Sequence, residues 1–194
     1  MKICLATNNE GKIRELKSLL ATLDVEIVSL TAIGCSVDLP ETGDSFRANS
    51  LQKAQFVFDN YKLACIADDS GLEIEALNGE PGVYSARYAG KHGDDKANIQ
   101  KVLEKMTGVE NRKAHFKTVI TYIDPNGEPQ VFEGVVNGSI INEEKGSGGF
   151  GYDPIFVADG YVESFAEIDW EIKNKISHRA VAVGKFVDFI AKEQ

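Results

Sequence analysis

Two neighbouring carboxylates follow an apolar run: Leu63 to Ala67 leads into Asp68-Asp69-Ser70-Gly71. Adjacent acids repel each other unless a cation or a proton relieves them. Acids at the C-terminal end of a buried strand also lie where α/β proteins hold ligands. Hard oxygen donors suit magnesium, which keeps several waters and takes phosphate oxygens as further ligands. The plainer alternative is a turn in which Asp69 caps a backbone N–H.

A second polar segment, Thr7-Asn8-Asn9-Glu10-Gly11-Lys12, separates the apolar run Ile3-Cys4-Leu5-Ala6 from a helical stripe. A loop entering a helix presents free backbone N–H groups and the positive end of the helix dipole. Asn8 and Asn9 add amide donors and Lys12 adds a charge, so the loop suits a phosphate chain. It lacks the Gly-x4-Gly-Lys-Ser/Thr spacing of a Walker loop, and a polar turn that merely caps a helix is the competing account.

Three further segments carry weaker signals. Glu41 sits in the loop Leu39-Pro40-Glu41-Thr42-Gly43 and alone reads as a solvated acid. Phe150-Gly151-Tyr152-Asp153 follows the flexible run Gly146-Ser147-Gly148-Gly149; its aromatics can stack on a base or fill a core with equal ease. In Lys173-Asn174-Lys175-Ile176-Ser177-His178-Arg179, Ser177 is suited to cap the final helix. That sets His178 and Arg179 in its first turn, where cations oppose the dipole and a ligand would explain them. His92 and His115 have no such company.

The elements that must position these residues follow from periodicity. Ile3–Ala6, Val25–Leu30 and Leu63–Ala67 read as buried strands, the last ending at the acidic pair, with Leu72–Leu77 following. Ile13, Leu16, Leu19, Leu20 and Leu23 define a first helix. Leu51, Ala54 and Phe58 define a second, capped by Asp44 or Ser45; Asn49 and Lys53 share another of its faces. Asp94 or Asp95 caps a helix bearing Ile99, Val102, Leu103 and Met106. Phe116–Ile123 and Gln130–Val136 flank the turn Asp124-Pro125-Asn126-Gly127, which predicts an antiparallel hairpin. The last helix carries Val183, Phe186, Val187 and Ile190. Strands that alternate with helices early and pair as a hairpin later imply an α/β fold, a mixed sheet with flanking helices.

At 194 residues the chain suffices for one sizeable core or two lobes sharing a sheet. A net charge of −9 argues against a general nucleic-acid binder, which needs a basic face, but leaves room for a locally basic phosphate pocket. Cys4, Cys35 and Cys65 suggest neither a disulfide framework nor a zinc site and read as small buried hydrophobes. Met1-Lys2-Ile3 runs straight into a strand-like segment rather than a signal peptide, and no apolar run approaches the length of a membrane span. The expectation is a cytoplasmic protein.

Assembled, these segments resemble the inosine triphosphate pyrophosphatase family, which acts on non-canonical purine nucleoside triphosphates. The resemblance rests on Ala6-Thr7-Asn8-Asn9 through Lys12, Glu41-Thr42-Gly43, Phe46 with Asn49 and Lys53, Ala67-Asp68-Asp69-Ser70-Gly71-Leu72, Pro81 through Tyr88, Gly148 through Pro154, and Ile176-Ser177-His178-Arg179. They run in family order over nearly the whole chain, and their specificity lies in the combination.

The resemblance implies a single pyrophosphatase domain over residues 1–194, with two lobes around a central cleft, and a homodimer. It implies Mg2+-dependent hydrolysis of the triphosphates of inosine, deoxyinosine and xanthosine to monophosphate and pyrophosphate. Thr7, Asn8, Asn9, Glu10, Gly11 and Lys12, with Ser70, would hold the triphosphate, and Lys53 would reach the phosphates. Glu41 and Asp69 would ligand the metal, Asp69 also accepting the proton. Phe150, Gly151, Tyr152, Asp153, Lys173, His178 and Arg179 would hold the nucleotide, mainly its base. Ala48 stands where the family usually has Glu, Ser50 where it has Ala, and Ile172 where an acid is common. Two other functions compete: a pyrophosphatase of the same broad fold acting on pyrimidine or modified nucleotides, and a non-catalytic nucleotide-binding module.

Overall fold

The computed structural model describes residues 2–193. The chain runs β1 (Lys2–Leu5), α1 (Glu10–Leu19), β2 (Glu26–Ser29), α2 (Phe46–Tyr61), β3 (Cys65–Ile74), α3 (Asp95–Lys105), β4 (Lys113–Ile123), β5 (Pro129–Ile140), β6 (Phe156–Ala158), α4 (Trp170–Ile176) and α5 (His178–Glu193). The strands form one mixed sheet in the order β2-β1-β3-β4-β5-β6. β1 pairs in parallel with β2 and β3, whereas β5 and β6 are antiparallel. This is the mixed α/β architecture that the alternating pattern predicts. Among the described residues no helix is long and apolar enough to cross a membrane.

Local chemistry sets the element ends. The Asn9 side chain accepts from the Lys12 N–H (3.0 Å) and starts α1. Ser45, rather than Asp44, caps α2 by accepting from Ala48 N (3.2 Å). Asp94 caps α3 through Ala97 N (3.1 Å), which leaves Asp95 for another partner. In the turn after β4, Asp124 Oδ1 accepts from Asn126 N (2.8 Å) and Glu128 N (2.9 Å), an Asx-type closure of the expected hairpin.

One expectation is corrected. The third strand does not stop at the acidic pair: β3 is a single ten-residue strand through Asp68-Asp69-Ser70-Gly71, and it includes Leu72 to Ile74. Successive side chains of a strand point to opposite faces, so the two acids diverge instead of facing each other, and strand geometry continues through them.

The chain divides into two compact units, one of Met1–Asp69, Thr118–Gly134 and Arg179–Gln194, the other of Ser70–Lys117 and Val135–His178. β3, β4 and β5 each contribute residues to both. The first unit buries Ile3, Leu5, Leu16, Ile66, Ile120 and Phe186 in one cluster, and Cys4, Ala54, Val57 and Cys65 in another. Cys4 and Cys65 are register partners on β1 and β3, and burial pushes both thiols up to about 12, so they act as inert apolar fillers. The second unit packs Leu72, Ile74, Val102, Phe116, Phe156 and Phe165, with Phe116 edge-on to Phe156 at 4.7 Å.

Ser50 has a structural explanation. Its hydroxyl lies 2.8 Å from that of Thr121, and both residues are fully buried. Ser50→Ala alone should destabilise the protein by about 1–3 kcal/mol, because it strands a buried hydroxyl. Ser50→Ala combined with Thr121→Val should recover most of that loss. Urea denaturation of the single and double variants checks both outcomes.

Candidate active site

The β1–α1 loop is held by its own side chains. Thr7 Oγ1 accepts from Asn9 N (3.2 Å), and Asn9 caps α1. Asn8, Asn9 and Glu10 are exposed at the helix N-terminus, so the loop offers solvent the positive end of α1. Lys12, in the first turn, extends to Asp68 Oδ1 at 2.5 Å.

Asp68 is the centre of a buried ion network in the first unit. Its Oδ2 accepts from Arg179 Nε (3.2 Å) and from the Thr118 hydroxyl (3.4 Å), and Arg179 Nη1 also donates to Glu15. Arg179 is 1 % exposed and Asp68 0 %. Burial alone would raise the Asp68 carboxyl; the Arg179 guanidinium, and then Lys12, outweigh it and hold the carboxyl well below the usual carboxylate range.

Asp69 faces a different cation. The buried Lys53 ammonium donates to Glu41 and to the Asp68 carbonyl (2.7 Å) and lies 3.9 Å from Asp69 Oδ1. Burial raises the Asp69 carboxyl above its ordinary value; Lys53 and Lys12 oppose the rise, and Glu41 adds to it. Asn49, buried on α2, accepts from Gly43 N (2.8 Å) and hydrogen-bonds Asp69, tying the Glu41 loop to β3.

Glu41 and Asp69 therefore converge on one cationic group, and each could give an oxygen to a divalent ion. Among the described residues no cluster of three or more His, Cys, Asp or Glu is arranged to hold a metal. The protein's share would be these two carboxylates, with water and phosphate oxygens completing the shell; magnesium suits that set.

The second unit holds the remaining candidates. Asp153 Oδ2 accepts from Phe150 N (2.9 Å) and from Lys173 Nζ (2.5 Å), a buried pair, and the Lys173 ammonium lies 5.1 Å from the Phe150 ring centroid. Gly149, at φ +70°, admits no side chain, since a Cβ would stand 2.0 Å from Asp153 Oδ2. Tyr152 is buried and donates its hydroxyl to the Ser85 carbonyl (2.8 Å). Gly151 N donates to Asp95 Oδ2 (2.8 Å). His178 stacks on Phe116 at 4.8 Å and 12°. Ser70 is the β3 residue that follows Asp69.

Residues 3–189 match the Ham1 family model. The chain belongs to the Ham1 family. It is 51 % identical over 190 residues to the dITP/XTP pyrophosphatase of Porphyromonas gingivalis, covering 97 % of each chain. It is 45 % identical over 192 residues to that of Christiangramia forsetii, covering 99 % of this chain and 100 % of that one. Among solved structures it is similar to the Staphylococcus aureus Ham1 protein, at TM-score 0.91 and 40 % identity with both chains fully covered. A HAM1 protein from Coxiella burnetii gives 0.90 and 39 %, with 99 % of each chain covered.

Within this Ham1 chain the sequence candidates fall into two groups. Thr7 to Lys12, Glu41, Lys53, Asp69 and Arg179 belong to the first unit; Ser70, Phe150 to Asp153, Lys173 and His178 belong to the second. Arg179, expected among the nucleotide donors, has Nε and Nη1 engaged by Asp68 and Glu15. Sequence reasoning missed three residues. Glu15 is three positions from Lys12 on a helix, a spacing that reads as an ordinary surface ion pair. Asn49 was legible as a helix-face residue but not as a bridge. Asp95 looked interchangeable with Asp94 as a cap.

Arg179→Ala removes the cation shared by two buried carboxylates. The expected cost is about 3–5 kcal/mol, read by thermal or urea denaturation. A variant as stable as the parent would show that the network does not hold this unit together. The sign with pH follows from the depressed Asp68 value. Its contribution is complete above the unfolded carboxyl value, about 3.9, and is lost as pH falls through the folded one.

Proposed function

We propose that the chain is a Mg2+-dependent nucleoside triphosphate pyrophosphohydrolase that removes the triphosphates of inosine, deoxyinosine and xanthosine from the nucleotide pool. The names of the similar P. gingivalis and C. forsetii proteins support this substrate class. The observation that carries it is the convergence of Glu41 and Asp69 on the Lys53 ammonium, beside a strand whose other acid is bound by Lys12. The reading includes the homodimer that the resemblance implies and the cytoplasmic setting that the sequence leads us to expect.

Each side chain then has a task. The N–H groups of the loop from Thr7 to Lys12, with Ser70, bind phosphate oxygens, and Lys12 and Lys53 offset their charge. Glu41 and Asp69 would hold Mg2+, which supplies charge neutralisation at the phosphates and polarises a bound water. Asp69 takes the proton as water attacks the α-phosphorus. The bond from that phosphorus to the bridging oxygen breaks, and pyrophosphate leaves with the bond pair. A carboxyl raised by burial is a better proton acceptor than a free one, and Asp68, already held by Arg179 and Lys12, is not free for the task.

Base choice follows from donors and acceptors. Hypoxanthine and xanthine carry a 6-keto acceptor where adenine carries an amino donor, and Lys173 can only donate. Phe150 offers a face for stacking. The expected preference for inosine over adenosine triphosphate is large, up to about 10⁴-fold for a site built on hydrogen bonds. Pyrophosphate release measured over a panel of purine and pyrimidine triphosphates, with and without Mg2+, tests the whole reading. Equal turnover of uridine and inosine triphosphates, or release without any divalent ion, would overturn it.

Two variants separate the acids. Asp69→Asn should abolish turnover with the melting curve little changed, because the amide cannot accept the proton. Near-normal activity would exclude this mechanism. Glu41→Gln should raise the Mg2+ concentration for half-maximal activity about tenfold or more, the loss typical of a disturbed metal site; an unchanged titration would return Glu41 to the solvated loop.

A further inference from the structure

The backbone around Phe150 is clamped on both sides by carboxylates. The Phe150 N–H is bound by Asp153 Oδ2 (2.9 Å), and the next peptide, Phe150–Gly151, is bound through the Gly151 N–H by Asp95 Oδ2 (2.8 Å). Pinning the peptide planes before and after a residue restrains its φ and ψ and so fixes the direction of its Cα–Cβ bond and narrows the rotamers open to its side chain. Asp153 is itself locked by Lys173 within the second unit. Asp95 comes from a separate element, 56 positions away in sequence, and it can reach because Asp94 performs the capping of α3. An acid in the first turn of α3 suits the helix dipole, but the dipole does not require it to reach Gly151, and Asp95 is exposed, so packing does not explain the contact.

We propose that Asp95 is a positioning residue for base recognition, holding the Phe150–Gly151 peptide so that the Phe150 ring is presented to a purine. This rests on the reading of Phe150 as a base-stacking residue. The carboxylate acts through its acceptor oxygen and not through its charge, since its partner is a neutral amide N–H. Asn at this position therefore keeps the function, and Ala does not.

The test compares Asp95→Ala, Asp95→Asn and Phe150→Ala with the parent, using inosine triphosphate as substrate and inorganic tripolyphosphate, which has no base, as competitive inhibitor. Asp95→Ala should raise KM about tenfold, the scale of losing one hydrogen bond, with kcat within about twofold and tripolyphosphate inhibition unchanged. Asp95→Asn should restore KM to near the parent value, and Phe150→Ala should raise it at least as far as Asp95→Ala. Three outcomes overturn the inference while leaving the base-stacking reading intact: a KM unaffected by Asp95→Ala, equal defects in the Ala and Asn variants, or a tripolyphosphate Ki that shifts in parallel with KM. An Asp95→Ala chain that fails to fold also overturns it, because the residue would then serve the fold. If Phe150→Ala itself leaves KM unchanged, the base-stacking reading falls and the inference falls with it.

Discussion

A carboxylate with no exposure to water must be matched by cations at contact distance, and in this protein that requirement organises the first unit. Asp68 draws Lys12 from α1 and Arg179 from α5 onto β3, while Glu15 takes a second bond from the same guanidinium. Two acids and two bases make the set electrically neutral, and Thr118 on β4 satisfies a further lone pair. Leaving out any one member would leave the buried set with an uncompensated net charge, which is among the most costly faults an interior can carry. Four separate elements are thereby held in a single relation around the middle of β3.

That network has a consequence for the neighbouring acid. Because strand side chains alternate, Asp69 projects away from the cations that hold Asp68 and toward Lys53 and Glu41. Two chemically identical residues thus acquire opposite shifts from their surroundings, one carboxyl held below its ordinary value by cations and the other raised above it by burial. One dipeptide thus presents two carboxylates to different sets of cations. Lys53 serves as a cation between the Asp69 and Glu41 carboxylates, and Asn49 keeps the Glu41 loop in register with the strand.

The second unit uses the same device with a different result. Asp153 binds a backbone N–H and the Lys173 ammonium at once, and its side chain lies so close to position 149, where φ is +70°, that only glycine fits there. Tyr152, which composition alone would offer as a stacking partner, faces inward and is tied to Ser85, leaving Phe150 as the more accessible ring of the pair. The Gly-Gly-Phe-Gly-Tyr-Asp-Pro segment is thus a turn built around one carboxylate, and its aromatics divide between core and surface.

Local chemistry made much of this protein legible in its sequence. Strand, polar loop and helix at the N-terminus, the Asn-Gly turn after β4, and the amphipathic stripes of α1, α3 and α5 follow from propensity and periodicity within a dozen residues, and the order of short motifs identified the family. The different surroundings of Asp68 and Asp69 could not be read that way. It depends on Arg179, which is 111 positions from Asp68 in the chain, and on Lys53 and Glu41 arriving from another helix and loop. For the same reason the strand seemed to end where it continues, since an acidic pair terminates a strand unless cations from elsewhere accept it. Glu15, Asn49 and Asp95 carry no local signature because each acts through a partner distant in sequence. Short-range physics determined which elements form and what chemistry they could hold; burial and long-range charge pairing, which exist only in the folded chain, decided which cations each of two like residues meets.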